Sequence, residues 1–161
     1  MAWAKNGTPD TLGSAGDTLQ ITDLTAYKFN LFMFHEIEST ANNANERLTF
    51  NNNSNTVYAE RKSSSGAADA TNTSQAYANL GANSHDEFGI CHTVSISGEE
   101  KLAIYFGVGR QTAGAANAPE RVEQVFKFVP SPDADITRID INNTDTGDYD
   151  TGSNLSALGT D

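Results

Sequence analysis

Cysteine, proline and positive charge are all scarce in this chain. Its 161 residues include one cysteine and four prolines, and Lys and Arg together number 10 against 21 Asp and Glu. With Cys91 alone, neither an internal disulfide framework nor a multi-cysteine zinc site can form. The formal net charge of -11 repels phosphate backbones and anionic head groups, so nucleic acid and membrane surfaces are not expected partners. No apolar run approaches the length of a bilayer span, and the start at Met1 to Lys5 lacks the apolar core of a secretion leader. Synthesis in a cytoplasm is the expectation. Helical periodicity is also missing: the best stretch, Pro119 to Phe128, fits a period of two at least as well.

Alternation of apolar and polar side chains is the dominant pattern. Phe88, Ile90, Val94 and Ile96 share one parity with His92, and Leu102, Ile104, Phe106 and Val108 repeat it. The glycine-bearing stretch between these two strands, Ser97 to Lys101, suits a hairpin turn. A third strand covers Val122 to Phe128 and stops before Pro130 and Pro132, which remove backbone donors. Ile136 to Asn142 and a run around Leu155 and Leu158 finish the chain.

Earlier, Leu19 and Ile21 mark a short strand. Tyr27 to Ile37 is a longer one, with Phe29, Leu31, Met33 and Ile37 on one side and Phe32 and Phe34 on the other. Apolar residues on both faces predict a strand covered twice, in a sheet centre or a subunit interface. Leu48 to Phe50 and Val57 to Arg61 flank the turn-forming Asn51 to Asn55 and read as a strand pair. Lys62 to Ser74 and Gln111 to Pro119, rich in small residues, read as loops. The sum is an all-β chain of about eight to ten strands, an antiparallel β-sandwich of jelly-roll type. An N-terminal arm, residues 1–16, precedes a single domain, residues 17–161.

Chemistry is harder to find. Cys91 and His92 are neighbours, but adjacent strand residues point to opposite faces, so they do not form a thiol and imidazole couple. Glu36 and Glu38 would lie about 7 Å apart on one strand face, a glycosidase-like spacing that any exposed strand end also offers, so they read as solvated edge charges. Asp145, Asp148 and Asp150 crowd one turn, and oxygen-rich turns attract calcium; these three are the candidate metal ligands, although EF-hand spacing is missing. Gly107 to Gly109 lacks the turn and helix of a dinucleotide fingerprint. No cofactor is implied, and the expectation is a protein that is not an enzyme.

Three segments carry a resemblance: Gly16 to Ala26, Leu48 to Arg61, and Ile136 to Asn142 leading to Gly152 to Gly159. In order and spacing they resemble small β-rich structural proteins of tailed bacteriophages and related marine viruses. The resemblance implies a jelly-roll virion component: a capsid decoration, a head fibre or a tail appendage. It implies no site residues. This chain departs from the commoner pattern at Asn51 to Asn55, where a glycine-bearing turn is usual.

The expected partners are therefore copies of the same chain, in a symmetric oligomer of three or more, together with capsid or other virion proteins. Trp3 on the arm, with Phe32 and Phe34, is the expected interface, since tryptophan is enriched in interface hot spots. The alternative is a module binding carbohydrate or a receptor on a host surface, with Tyr58, Tyr77, Tyr105 or loop Asn and Asp side chains as stacking and hydrogen-bonding groups.

Overall fold

The computed structural model describes residues 2–38, 44–83 and 85–161. Among them no helix occurs, and thirteen strands form two antiparallel sheets. The smaller sheet runs in the order β3 (Thr18–Ile21), β12 (Ile139–Asn143), β5 (Ala44–Phe50), β8 (Ala78–Asn83). The larger begins with β1 (Ala4–Lys5) beside β13 (Asn154–Thr160), then β4 (Phe29–Glu36), β9 (Glu87–Val94) and β10 (Lys101–Gly109). It continues through β11 (Glu120–Phe128) and β6 (Tyr58–Ser64) to β7 (Ala70–Gln75), while β2 (Asp10–Thr11) also pairs with β13. No helix long and apolar enough to cross a membrane is present among the described residues.

The sheets meet over an aromatic core. Phe50, from the small sheet, inserts its ring among three from the large one, at centroid distances of 5.9 Å to Phe32, 6.0 Å to Phe126 and 5.7 Å to Phe128. Leu19, Ile21, Leu48, Ile139 and Ile141 complete the small sheet's buried side. Each such side chain contributes about 1.5–3 kcal/mol by leaving water. The Tyr58 hydroxyl reaches across from β6 to accept the backbone N–H of Phe50 at 2.8 Å, so the two sheets are joined by a hydrogen bond as well as by packing.

Some expected neighbours separate. Leu48 to Phe50 and Val57 to Arg61 are both strands, but they do not pair: β5 lies between β12 and β8, and β6 between β11 and β7. The turn at Asn51 to Asn55 instead carries the chain from one sheet to the other. Asn51 and Asn52 have φ of 56° and 50°, the left-handed region that asparagine tolerates better than most side chains. Asn51 is further tied by its side chain, whose amide donates to Asp135 O at 2.8 Å while its oxygen accepts from Thr137 N at 2.9 Å. The left-handed backbone is one that glycine also adopts, and the Asn51 side chain adds anchors that glycine lacks.

Another expectation changes. Lys62 to Ser74 is a hairpin rather than a loop, with β6 running on to Ser64 and β7 returning beside it. The arm pairs with the larger sheet: Ala4 and Lys5 with Gly159 and Leu158, and Asp10 and Thr11 with Leu155 and Asn154. The hairpin of β9 and β10 has its expected form, antiparallel from Leu102 opposite Val94 to Gly109 opposite Glu87.

Candidate contact surface

The strongest apolar stripes of the sequence do not face the core. Along β10, Leu102, Ile104, Phe106 and Val108 are 52%, 49%, 51% and 43% exposed, while Ala103, Tyr105, Gly107 and Gly109 are buried. β9 repeats this, with Phe88 and His92 exposed, Ile90 and Val94 half-buried, and Gly89, Cys91 and Thr93 inside. The reason lies on the inner side. Gly89 and Gly107 leave bare backbone there, and Phe34 fills the first space while Glu87 and the Tyr105 hydroxyl fill the second. A strand whose inner positions are small can be covered by large side chains from its neighbours, and its own large side chains then turn outward.

Cross-strand register assembles those outward residues into rows, because directly paired residues share a face. One row runs Leu158, Leu31, His92, Ile104, Val125 and Arg61. On one side of it lies Phe29, Val94, Leu102 and Lys127, and on the other Met33, Ile90, Phe106 and Glu123. A last row holds His35, Phe88, Val108 and Arg121. The result is a largely apolar field with His92 near its middle and charged groups at its borders. Monomeric proteins seldom leave a patch of this kind open.

Part of the field is concave. A depression of about 690 Å³ is lined by Trp3, Phe29, Leu102, Ile104, Val125 and Arg61, among others. Trp3 is 47% exposed at its margin, so the expected anchor is open to a partner. Lys28 sits 5.1 Å from the Phe29 ring centre, a cation over an aromatic face.

Phe32 and Phe34, expected at the interface, are instead core residues, 0% and 1% exposed. Phe32 packs on Phe50, and Phe34 stacks on Tyr105 with centroids 5.9 Å apart and planes 3° from parallel. The opposite parity of the same strand, Phe29, Leu31 and Met33, is the one that faces outward. Tyr58 and Tyr105 are likewise buried at 1% and 0%, and Tyr77 lies under the Arg47 guanidinium at 4.2 Å, so these rings form no open stacking platform.

The three candidate calcium ligands are not gathered either. Asp145 accepts the backbone N–H of Thr146 at 2.8 Å, Asp150 that of Thr151 at 2.7 Å, and Asp148 hydrogen-bonds Asp17. Each carboxylate is spent on a contact of its own. Among the described residues, no group of three or more His, Cys, Asp and Glu side chains is placed to hold a metal.

Carboxylates do meet, at a place that side-chain alternation does not mark. Glu36 is not an edge charge: it is 2% exposed, faces inward, and pairs in register with Glu87 on β9. Glu46 approaches from the small sheet and is 1% exposed. Burial, then the charge of Glu46 and a hydrogen bond with it, hold the Glu36 carboxyl well above the usual range. A hydrogen bond between two carboxyls requires that one keep its proton. Glu87 is pushed up to about 8, chiefly by burial and by Glu46, against a hydrogen bond from Tyr105 that lowers it. Glu38 is raised by burial and by Asp86, and its backbone N–H donates to Asp86 at 3.2 Å. Cys91 is fully buried, its thiol held far above its ordinary value by burial, and His92 points the opposite way to solvent. The signal for the carboxylate group was register alone, which places Glu36 beside Glu87 only once the strand order is known.

No family model, curated protein or solved structure matches this chain.

Proposed function

We propose that this chain is a non-enzymatic structural protein of a virion, a surface component of decoration, head-fibre or tail-appendage type that works by being packed into an assembly. The observation that carries the reading is the outer face of the large sheet, where Leu102, Ile104, Phe106, Val108, Phe88 and Val125 are each 43–52% exposed in one field. An apolar centre with a polar border is the anatomy of an interface. The chain also crosses between sheets from β2 to β3, β3 to β4, β4 to β5, β5 to β6, β7 to β8, β8 to β9, β11 to β12 and β12 to β13. That repeated crossing supports a sandwich of jelly-roll type.

Quantitative mass spectrometry of purified particles tests the reading. The chain is expected at a fixed copy number per particle, and Phe106→Lys is expected to fold normally by circular dichroism yet be lost from particles. Finding the chain only free in lysate, or finding Phe106→Lys incorporated at the normal level, overturns the proposal. The carbohydrate-binding alternative is weakened, because two of its three aromatic rings are inside the core.

A further inference from the structure

We infer that the occupant of the outer face is a second copy of this chain, docked sheet on sheet about a two-fold axis running across the strands along Leu31, His92, Ile104 and Val125. The inference rests on the reading above that this face is covered in use, and it names the partner.

Area is the first argument. Six adjacent strands, β13, β4, β9, β10, β11 and β6, carry the face. At about 4.8 Å between strands and about 3.3 Å per residue, it measures about 29 Å by about 26 Å, or about 750 Å². A stable interface of ordinary size covers about 800 Å² on each partner. One flat face of this sandwich is therefore enough for a specific dimer, and two sheets are an established packing pair at about 10 Å separation.

Chemical self-complementarity is the second. A two-fold axis along the Leu31 to Val125 row sets each copy's Phe29, Val94, Leu102 and Lys127 row against its partner's Met33, Ile90, Phe106 and Glu123 row. Apolar groups then meet apolar groups, Lys127 of each copy meets Glu123 of the other, and the axis row meets itself, with His92 over His92 at its middle and Arg61 over Arg61 at its outer end. These ends are otherwise satisfied only by exposed pairs, Lys127 with Glu100 at 2.9 Å and Arg121 with Glu123 at 3.6 Å. An axis parallel to the strands would instead set β11 against β4, placing Lys127 over Phe29 and Glu123 over Met33 with no such exchange. The Lys127 and Glu123 exchange favours the crosswise axis.

The 161-residue chain serves for the test. Sedimentation equilibrium is expected to give twice the chain mass at micromolar concentration, with Ile104→Glu reducing it to the single mass while the circular dichroism spectrum is retained. Cross-linking with a short bis-maleimide reads the axis. Ile104→Cys, on the axis, is expected to link to itself; Phe106→Cys is expected to link poorly to itself and efficiently when mixed with Leu102→Cys. The native Cys91 is fully buried and does not compete. A monomer at all concentrations, or Phe106→Cys linking best to itself, overturns the two-fold dimer. If the chain is monomeric while Phe106→Lys is still excluded from particles, the dimer fails and the structural reading survives. If Phe106→Lys enters particles normally, both fail.

Discussion

Glu36 and Glu87 stand directly opposite each other on β4 and β9, 2% and 1% exposed, with Glu46 approaching from the facing sheet. Three carboxyls share one buried end of the sandwich, so the folded chain holds protons that the unfolded chain has released. Glu87 is raised from the ordinary 4.5 to about 8, and Glu36 is likewise held well above the usual range by burial and Glu46. Where the folded state binds more protons than the unfolded one, stability falls as pH rises. The stabilisation is complete below pH 4.5 and is lost as pH climbs toward about 8. Calorimetry is expected to show the Tm falling across that window, and Glu87→Gln is expected to flatten the fall. A Tm that rises through the window contradicts the protonated cluster.

Gly89 leaves its inner face to the Phe34 ring, which is itself stacked on Tyr105. A Cβ at position 89 collides with a ring that has nowhere to go. Gly89→Ala is expected to cost about 1–3 kcal/mol, the range for overpacking a well-filled core. Urea titration checks it; an unchanged midpoint would mean that the ring shifts freely.

The two faces of β4 and β10 should respond in opposite ways. Phe32→Ala opens a cavity among Phe50 and its neighbours and is expected to cost about 3–5 kcal/mol. Ile104→Ser, on the outer face, is expected to leave the stability of the isolated chain nearly unchanged while weakening association. Equal losses of stability in the two variants would show that the outer stripe is covered within the single chain.

Much of the strand plan was legible, because alternation registers directly as side-chain direction. Leu102, Ile104, Phe106 and Val108 announced β10, and the Ser97 to Lys101 turn announced its hairpin. What alternation leaves open is which parity points inward. That depends on residues in other strands: Phe34 and Tyr105 cover the glycines of β9 and β10, and this frees the larger residues to face out. Phe32 and Phe34 were misassigned to the interface for the same reason. Strand partners were hidden too. Asn51 to Asn55 has the composition of a hairpin turn, yet its left-handed asparagines carry the chain to the other sheet, and the Glu36, Glu46 and Glu87 group exists only in that three-dimensional order.

Tyr58 offers a check on how firmly the sheets are joined. Its hydroxyl accepts the Phe50 N–H at 2.8 Å in a buried setting. Tyr58→Phe leaves that backbone donor unsatisfied and is expected to cost about 1–3 kcal/mol. Hydrogen exchange should accelerate at Phe50 in the variant; unchanged exchange there would mean that the bond adds nothing.

Hydroxyl-radical footprinting of the chain, free at high dilution and in its native assembly, tests the central claim most directly. The account predicts that oxidation of Leu102, Ile104, Phe106 and Val125 is strongly suppressed in the assembly, while exposed residues of the Gln111 to Pro119 loop react as before. Equal oxidation of the outer face in both states would contradict the claim that this surface is where the protein makes its contacts.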